Sequence, residues 1–106
     1  MNSILYSIKK LIGYDYDNTQ FDTDIMIHIN TALNTLTQVG VGDPDGFIIH
    51  GYNETWNDFV GESKTLEQAK TYVYAKVKLV FDPPTSSSAI ASLERAADEA
   101  LWRLST

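Results

Sequence analysis

The stretch Tyr72 to Ser88, YVYAKVKLVFDPPTSSS, decides the fold. A nearly all-round apolar helix runs into Asp82-Pro83-Pro84. Proline lacks the amide proton an α-helix needs and pushes the residue before it out of helical geometry, so the helix ends near Phe81 or Asp82. Ser86, Ser87 or Ser88 then accepts a hydrogen bond from the free amides of the next helix, AIASLERAADEALWRL. A helix that is apolar on two sides and turns sharply into another predicts helix packed on helix.

Upstream of the stop, this third helix begins at Ser63 or Thr65, where Thr65-Leu66-Glu67-Gln68 has the spacing of a capping box. Leu66, Val73, Val77 and Val80 form one stripe, and Tyr72, Ala75 and Leu79 a second, which predicts the central element. Downstream, the fourth helix spans about 88–104. It carries Ile90, Leu93, Ala97, Leu101 and Leu104 on one face, with Trp102 beside it and Glu94, Arg95, Asp98 and Glu99 facing water.

Two further helices precede these. The first, about 3–12, sets Ile4, Ile8 and Leu11 or Ile12 on one face, and Gly13 supplies the left-handed residue that ends it. After a polar link over 14–21, Asp22 or Thr23 caps a second helix, about 23–39, with Ile25, Ile29, Ala32 or Leu33, Leu36 and Val39 at a 3.6-residue period. Gly40 and Gly42 close it, and GDPDG at 42–46 is turn chemistry. Residues 43–60 then read as a long loop in which Phe47-Ile48-Ile49 forms a short strand or hairpin. Trp56, Phe59 and Val60 either pin that loop to the core or present a contact surface to another subunit. The expected fold is mostly α: a single domain over 1–106, a small bundle of about four helices with one long loop between the second and third.

At 106 residues the chain has room for one core, which buries roughly 60–70% of the surface exposed when unfolded. With 43% hydrophobic and 21% charged residues it has an ordinary globular composition. It contains no cysteine, which removes disulfide, thiolate-metal and cysteine-nucleophile chemistry. The N-terminus, MNSILYSIKKLIG, is broken by Lys9 and Lys10 and does not read as a signal peptide, and no window reaches the length of a membrane span. The net charge of −6 conceals an asymmetry: residues 11–63 hold nine carboxylates and no lysine or arginine. These are Asp15, Asp17, Asp22, Asp24, Asp43, Asp45, Glu54, Asp58 and Glu62. The third helical segment carries Lys64, Lys70, Lys76 and Lys78 against Glu67. Such a pattern is either a solvated acidic face or one half of a head-to-tail contact between an acidic and a lysine-bearing surface.

Catalytic and metal motifs fail on inspection. Asp15-Tyr16-Asp17-Asn18 opens like a calcium loop, but Gln20 stands where glycine is needed and Met26 where glutamate is needed. His28 and His50 have no ligand partner at motif spacing and read as structural or surface residues. There is no glycine-rich phosphate loop and no serine-hydrolase elbow. A basic stripe for gripping DNA is absent as well. No enzyme activity, cofactor or metal is expected.

The order and spacing of Ile4-Leu5, Ile8-Lys9-Lys10-Leu11, FDTDIMIHINTALNTLTQVGVG, Trp56-Asn57-Asp58-Phe59 and TYVYAKVKLVFDPPTSSS, followed by a helix ending in LWRLST, resembles the small head-tail connector proteins of long-tailed bacteriophages. The resemblance implies an adaptor made in the bacterial host cytoplasm and built into the virion at the capsid-tail junction. Such subunits assemble as a ring, commonly of twelve copies, below the portal protein. The ring extends the DNA channel and joins the capsid to the next connector or tail-completion protein. DNA then passes through the lumen without sequence-specific binding, and no membrane is involved. On this chain the implied subunit or connector interface is the 43–60 loop, with Asp43, Asp45, Phe47, Ile48, Trp56 and Phe59. The implied portal-facing element is the C-terminal helix, with Arg95, Trp102 and Arg103. Acidic side chains of the 11–63 block would flank the lumen. The rival reading is a small acidic helical binding or regulatory module, a DNA mimic or an antitoxin-like protein.

Overall fold

The computed structural model describes residues 3–60 and 65–105. Ser63, one of the two expected helix starts, and Glu62 and Lys64 of the charge pattern lie outside those residues. The described chain forms five helices: α1 (Ile4–Ile12), α2 (Asp22–Gln38), α3 (Trp56–Val60), α4 (Leu66–Phe81) and α5 (Ser87–Ser105).

Local chemistry sets each boundary. The Ser3 hydroxyl accepts the Tyr6 amide at 3.2 Å to open α1, and Gly13 ends it at φ 96°, a left-handed conformation that glycine adopts without steric cost. At the far end of the chain Phe81 closes α4, the two prolines follow, and the Ser86 hydroxyl accepts the Ala89 amide at 3.0 Å to start α5. Thus the hard stop and restart stand where the sequence places them.

α4 is the central element and packs against α5, α2 and α1. It buries Ala69, Tyr72, Val73, Ala75 and Val77, while α2 contributes Ile25, Ile29, Ala32, Leu33 and Leu36 and α1 contributes Ile4, Leu5, Ile8 and Ile12. α5 buries only Ala97 and Ala100, whose small side chains let it lie close along α4. The end of α4 is sealed by a triangle of rings, Tyr14, Phe21 and Phe81, each pair edge to face at 5.7–5.9 Å. This places the first linker over the residue that precedes the proline stop.

Several expectations need correction. Val80 is not core: it lines a shallow cleft between α2 and α4 with His28 and Lys76 and is 58% exposed. Of the pair at the end of α1, Ile12 faces inward and Leu11 outward. Neither Asp22 nor Thr23 caps α2, which starts after Phe21 with no side-chain cap, because the Asp22 carboxylate is drawn to Lys9. Thr65 makes no side-chain cap on α4. The capping box lies instead at Thr55 and Asp58, where each backbone amide donates to the other side chain, at 3.0 and 3.1 Å, and starts α3.

Nor does Phe47-Ile48-Ile49 form a strand or hairpin. The Asn30 side chain on α2 donates to the Ile49 carbonyl at 3.1 Å and accepts the Ile49 amide at 2.7 Å. One amide side chain thereby supplies both bonds a neighbouring strand would have given, and Ile49 is buried without a sheet. Among the described residues the only β feature is an isolated antiparallel bridge between Ser3 and Thr55.

Candidate assembly interface

A buried cation organises the surface of this bundle. Lys9 faces inward from α1 and is 0% exposed. Its ammonium donates to the Asn18 carbonyl at 2.6 Å, the Tyr52 hydroxyl at 2.6 Å and, more weakly, the Tyr16 carbonyl at 3.3 Å, and it lies 2.8 Å from Asp22 Oδ1. Tyr52 in turn donates to Asp22 Oδ2 at 2.7 Å. Burial alone would lower the lysine pKa, but the bonds and charge of Asp22 and Tyr52 outweigh it and hold the group above its ordinary 10.5. Burial, helped by the Asp22 carboxylate and opposed by Lys9, raises the Tyr52 phenol above 10.0. This clasp joins α1, the first linker, the start of α2 and the long loop, so one inward-facing lysine fixes two otherwise irregular segments.

The long loop is anchored at both ends. Trp56 is fully buried and its indole N–H donates to the Ser7 hydroxyl at 2.8 Å; Phe59 is buried too, and its ring meets that of Phe47 at a tilt, 5.4 Å between centroids. Trp56 and Phe59 therefore pin the loop to the core of their own subunit and expose almost none of their rings. Their burial follows from α3, a helical turn the loop reading lacked. The tip remains outside: Asp43 and Asp45 are exposed, Phe47 is half-buried and Ile48 is 55% exposed. The Asp43 side chain accepts the Asp45 amide and its carbonyl accepts the Gly46 amide, both at 2.9 Å, so the tip is a formed turn. Glu54, near the loop's far end, is pushed up by burial, yet the backbone amides around it and the His50 ring hold it below 4.5.

Between α1 and α4 lies a groove of about 820 Å³. Tyr6, Leu11, Tyr16 and Tyr74 give it an apolar and aromatic lining, and Lys10, Lys70 and Glu67 its charge. Tyr16 is set in its wall by edge contact with Tyr6 at 5.4 Å and by leaning on Tyr52 at 4.7 Å. The Lys9 clasp thus shapes the groove through Tyr52. No sequence motif marked this surface; the one signal was the Lys9-Lys10 pair, of which one lysine faces in and the other out.

On the C-terminal helix, Arg95, Trp102 and Arg103 are all exposed, and Trp102 is 66% exposed. Arg103 pairs with Glu99 at 2.6 Å one turn back. None of the three lines the α1–α4 groove. His28 lies edge-on to Phe81 at 6.3 Å, and exposed His50 pairs with Glu54 at 3.2 Å. Among the described residues no group of three or more His, Cys, Asp or Glu side chains converges, and no helix is long and apolar enough to cross a membrane.

The helical core thus carries a groove between α1 and α4, an exposed acidic turn at Asp43–Gly46 and an exposed tryptophan on α5. The chain belongs to the phage connector protein family, which matches residues 4–106, nearly its whole length. Membership gives it a structural role in joining phage head and tail, as a component of the virion. No match is found among curated proteins or among solved structures.

Proposed function

We propose that this chain is a head-tail adaptor that assembles as a ring below the portal protein, extends the DNA channel and carries the next connector or tail-completion protein. The observation that supports this most is the family match across residues 4–106. The surface agrees with it: the interior is closed by the Lys9 clasp and by Trp56, and the remaining exposed features suit contacts between proteins. The loop tip and the groove serve neighbouring subunits, and Arg95, Trp102 and Arg103 on α5 face the portal. Exposed Asp15, Asp17 and Asp24 flank the lumen, where like charge keeps DNA mobile. The ring holds twelve copies and acts without catalysis, cofactor or sequence-specific DNA contact.

The test is the native mass of the protein alone and mixed with the portal of the same phage, by light scattering and negative-stain electron microscopy. A ring, alone or capping the portal, is expected. A chain that stays monomeric and leaves the portal bare at every concentration would overturn the reading and favour an acidic binding module.

A further inference from the structure

We propose that the α1–α4 groove of one subunit receives the Asp43–Ile48 turn of the next, which specifies the subunit contact of the adaptor ring and rests on that reading. The two surfaces are complementary in charge. Lys10 and Lys70 line the groove against the single carboxylate of Glu67, and neither lysine is ion-paired with a described residue. The turn brings Asp43 and Asp45 with no cation near them in sequence, since residues 11–63 contain none. The surfaces also match in polarity, because Ile48 and Leu11, each 55% exposed, would bury one another.

Both partners are held in shape beforehand. The turn is fixed by the amides of Asp45 and Gly46 donating to Asp43, by Asn30 on Ile49 and by Phe47 against Phe59. The groove wall is fixed by Tyr16 through Tyr52 and Lys9. Little ordering is left to do on contact, which favours association. No residue of the turn lines the groove of its own subunit. The contact is therefore between two different patches of one chain, the head-to-tail geometry that closes into rings when the rotation permits.

The chain's lack of cysteine makes the contact trappable. Leu11→Cys protein is mixed with Ile48→Cys protein under mild oxidation, with Leu11→Cys plus Ile27→Cys as background, since Ile27 is equally exposed on α2. The 11–48 disulfide is expected in clear excess over the homodimers and the background pair. Asp43→Lys with Asp45→Lys in the Ile48→Cys partner should slow trapping about tenfold, and Lys10→Glu with Lys70→Glu in the other should restore it. Thermal melts confirm that each variant is folded. Trapping no faster than background, or a loss that the second charge reversal does not restore, overturns the proposal. Native mass separates the two readings: a ring without selective trapping removes the groove contact alone, and selective trapping without any ring, with or without portal, removes the ring alone.

Discussion

Through Asn18, Tyr16, Tyr52 and Asp22, Lys9 ties α1 to the first linker, the long loop and the start of α2. Removing one partner of a buried ion pair leaves the other uncompensated, which costs about 3–5 kcal/mol. Lys9→Met should therefore lower stability in urea by an amount near the bottom of that range, because Asp22 keeps its bond from Tyr52. An unchanged urea midpoint would show the clasp to be superficial. The pH dependence has a definite sign. With the folded pKa of Lys9 raised above 10.5, its contribution is complete below that value and is lost as pH climbs through the folded pKa. Tyr52, raised above 10.0, acts in the same direction. The wild type should destabilise above about pH 10, and Lys9→Met should lose the lysine's share of that slope. A second residue tests backbone geometry. Gly42 sits at φ 77°, and an added Cβ would lie 2.9 Å from the Phe59 carbonyl oxygen. Gly42→Ala should cost about 1–3 kcal/mol from strain together with displacement of Phe59; a melting temperature equal to wild type would refute that.

At the scale of elements, the helices that punctuation controls were legible in the sequence, and the rest was not. Gly13, the double proline and Ser86 act on their immediate neighbours, so α1, α4 and α5 begin or end where local chemistry says. The clasp was hidden because Tyr52 lies 43 positions from Lys9, and a lysine at a helix end reads as solvated. Phe47-Ile48-Ile49 looked like a strand because β-prone residues need backbone partners, and nothing in the string shows that Asn30 supplies them. The Thr55-Asp58 box was readable as Thr-x-x-Asp. The five residues of α3 lack the long apolar run that follows Thr65, so the box carries no helix signal of its own. These two features separate in an experiment. Thr55→Ala should cost about 1 kcal/mol, the usual worth of an N-cap. Trp56→Ala should cost about 3–5 kcal/mol, because it empties a buried ring site and leaves Ser7 without its donor. Similar urea midpoints for the two variants would mean that α3, and not the indole, holds the loop.

On the scale of the whole molecule, the acidic block divides by role once folded. Asp22 and Glu54 are partly buried and paired with Lys9 and His50, Asp43 and Asp58 are exposed but spend a carboxylate oxygen on a nearby backbone amide, and Asp15, Asp17, Asp24 and Asp45 are exposed. The lopsided charge seen in the sequence is thus partly internal, and its outward part is concentrated in the first linker, the start of α2 and the loop tip. The two tryptophans divide in the same way: the sequence treats both as contact candidates, and the fold buries one. This yields opposite expectations from the same substitution. Trp56→Ala should lower the melting temperature and reduce soluble protein, so any defect in particle formation follows from lost fold. Trp102→Ala removes a ring that is 66% exposed on a helix whose core side is Leu93, Ala97, Ala100, Leu101 and Leu104, so the melting temperature should stay within a degree or two of wild type. If α5 meets the portal through this ring, phage complemented with the Trp102→Ala chain should accumulate filled heads without tails, visible by electron microscopy, while the purified variant folds normally. Infectious particles at wild-type titre would place the portal contact on another surface.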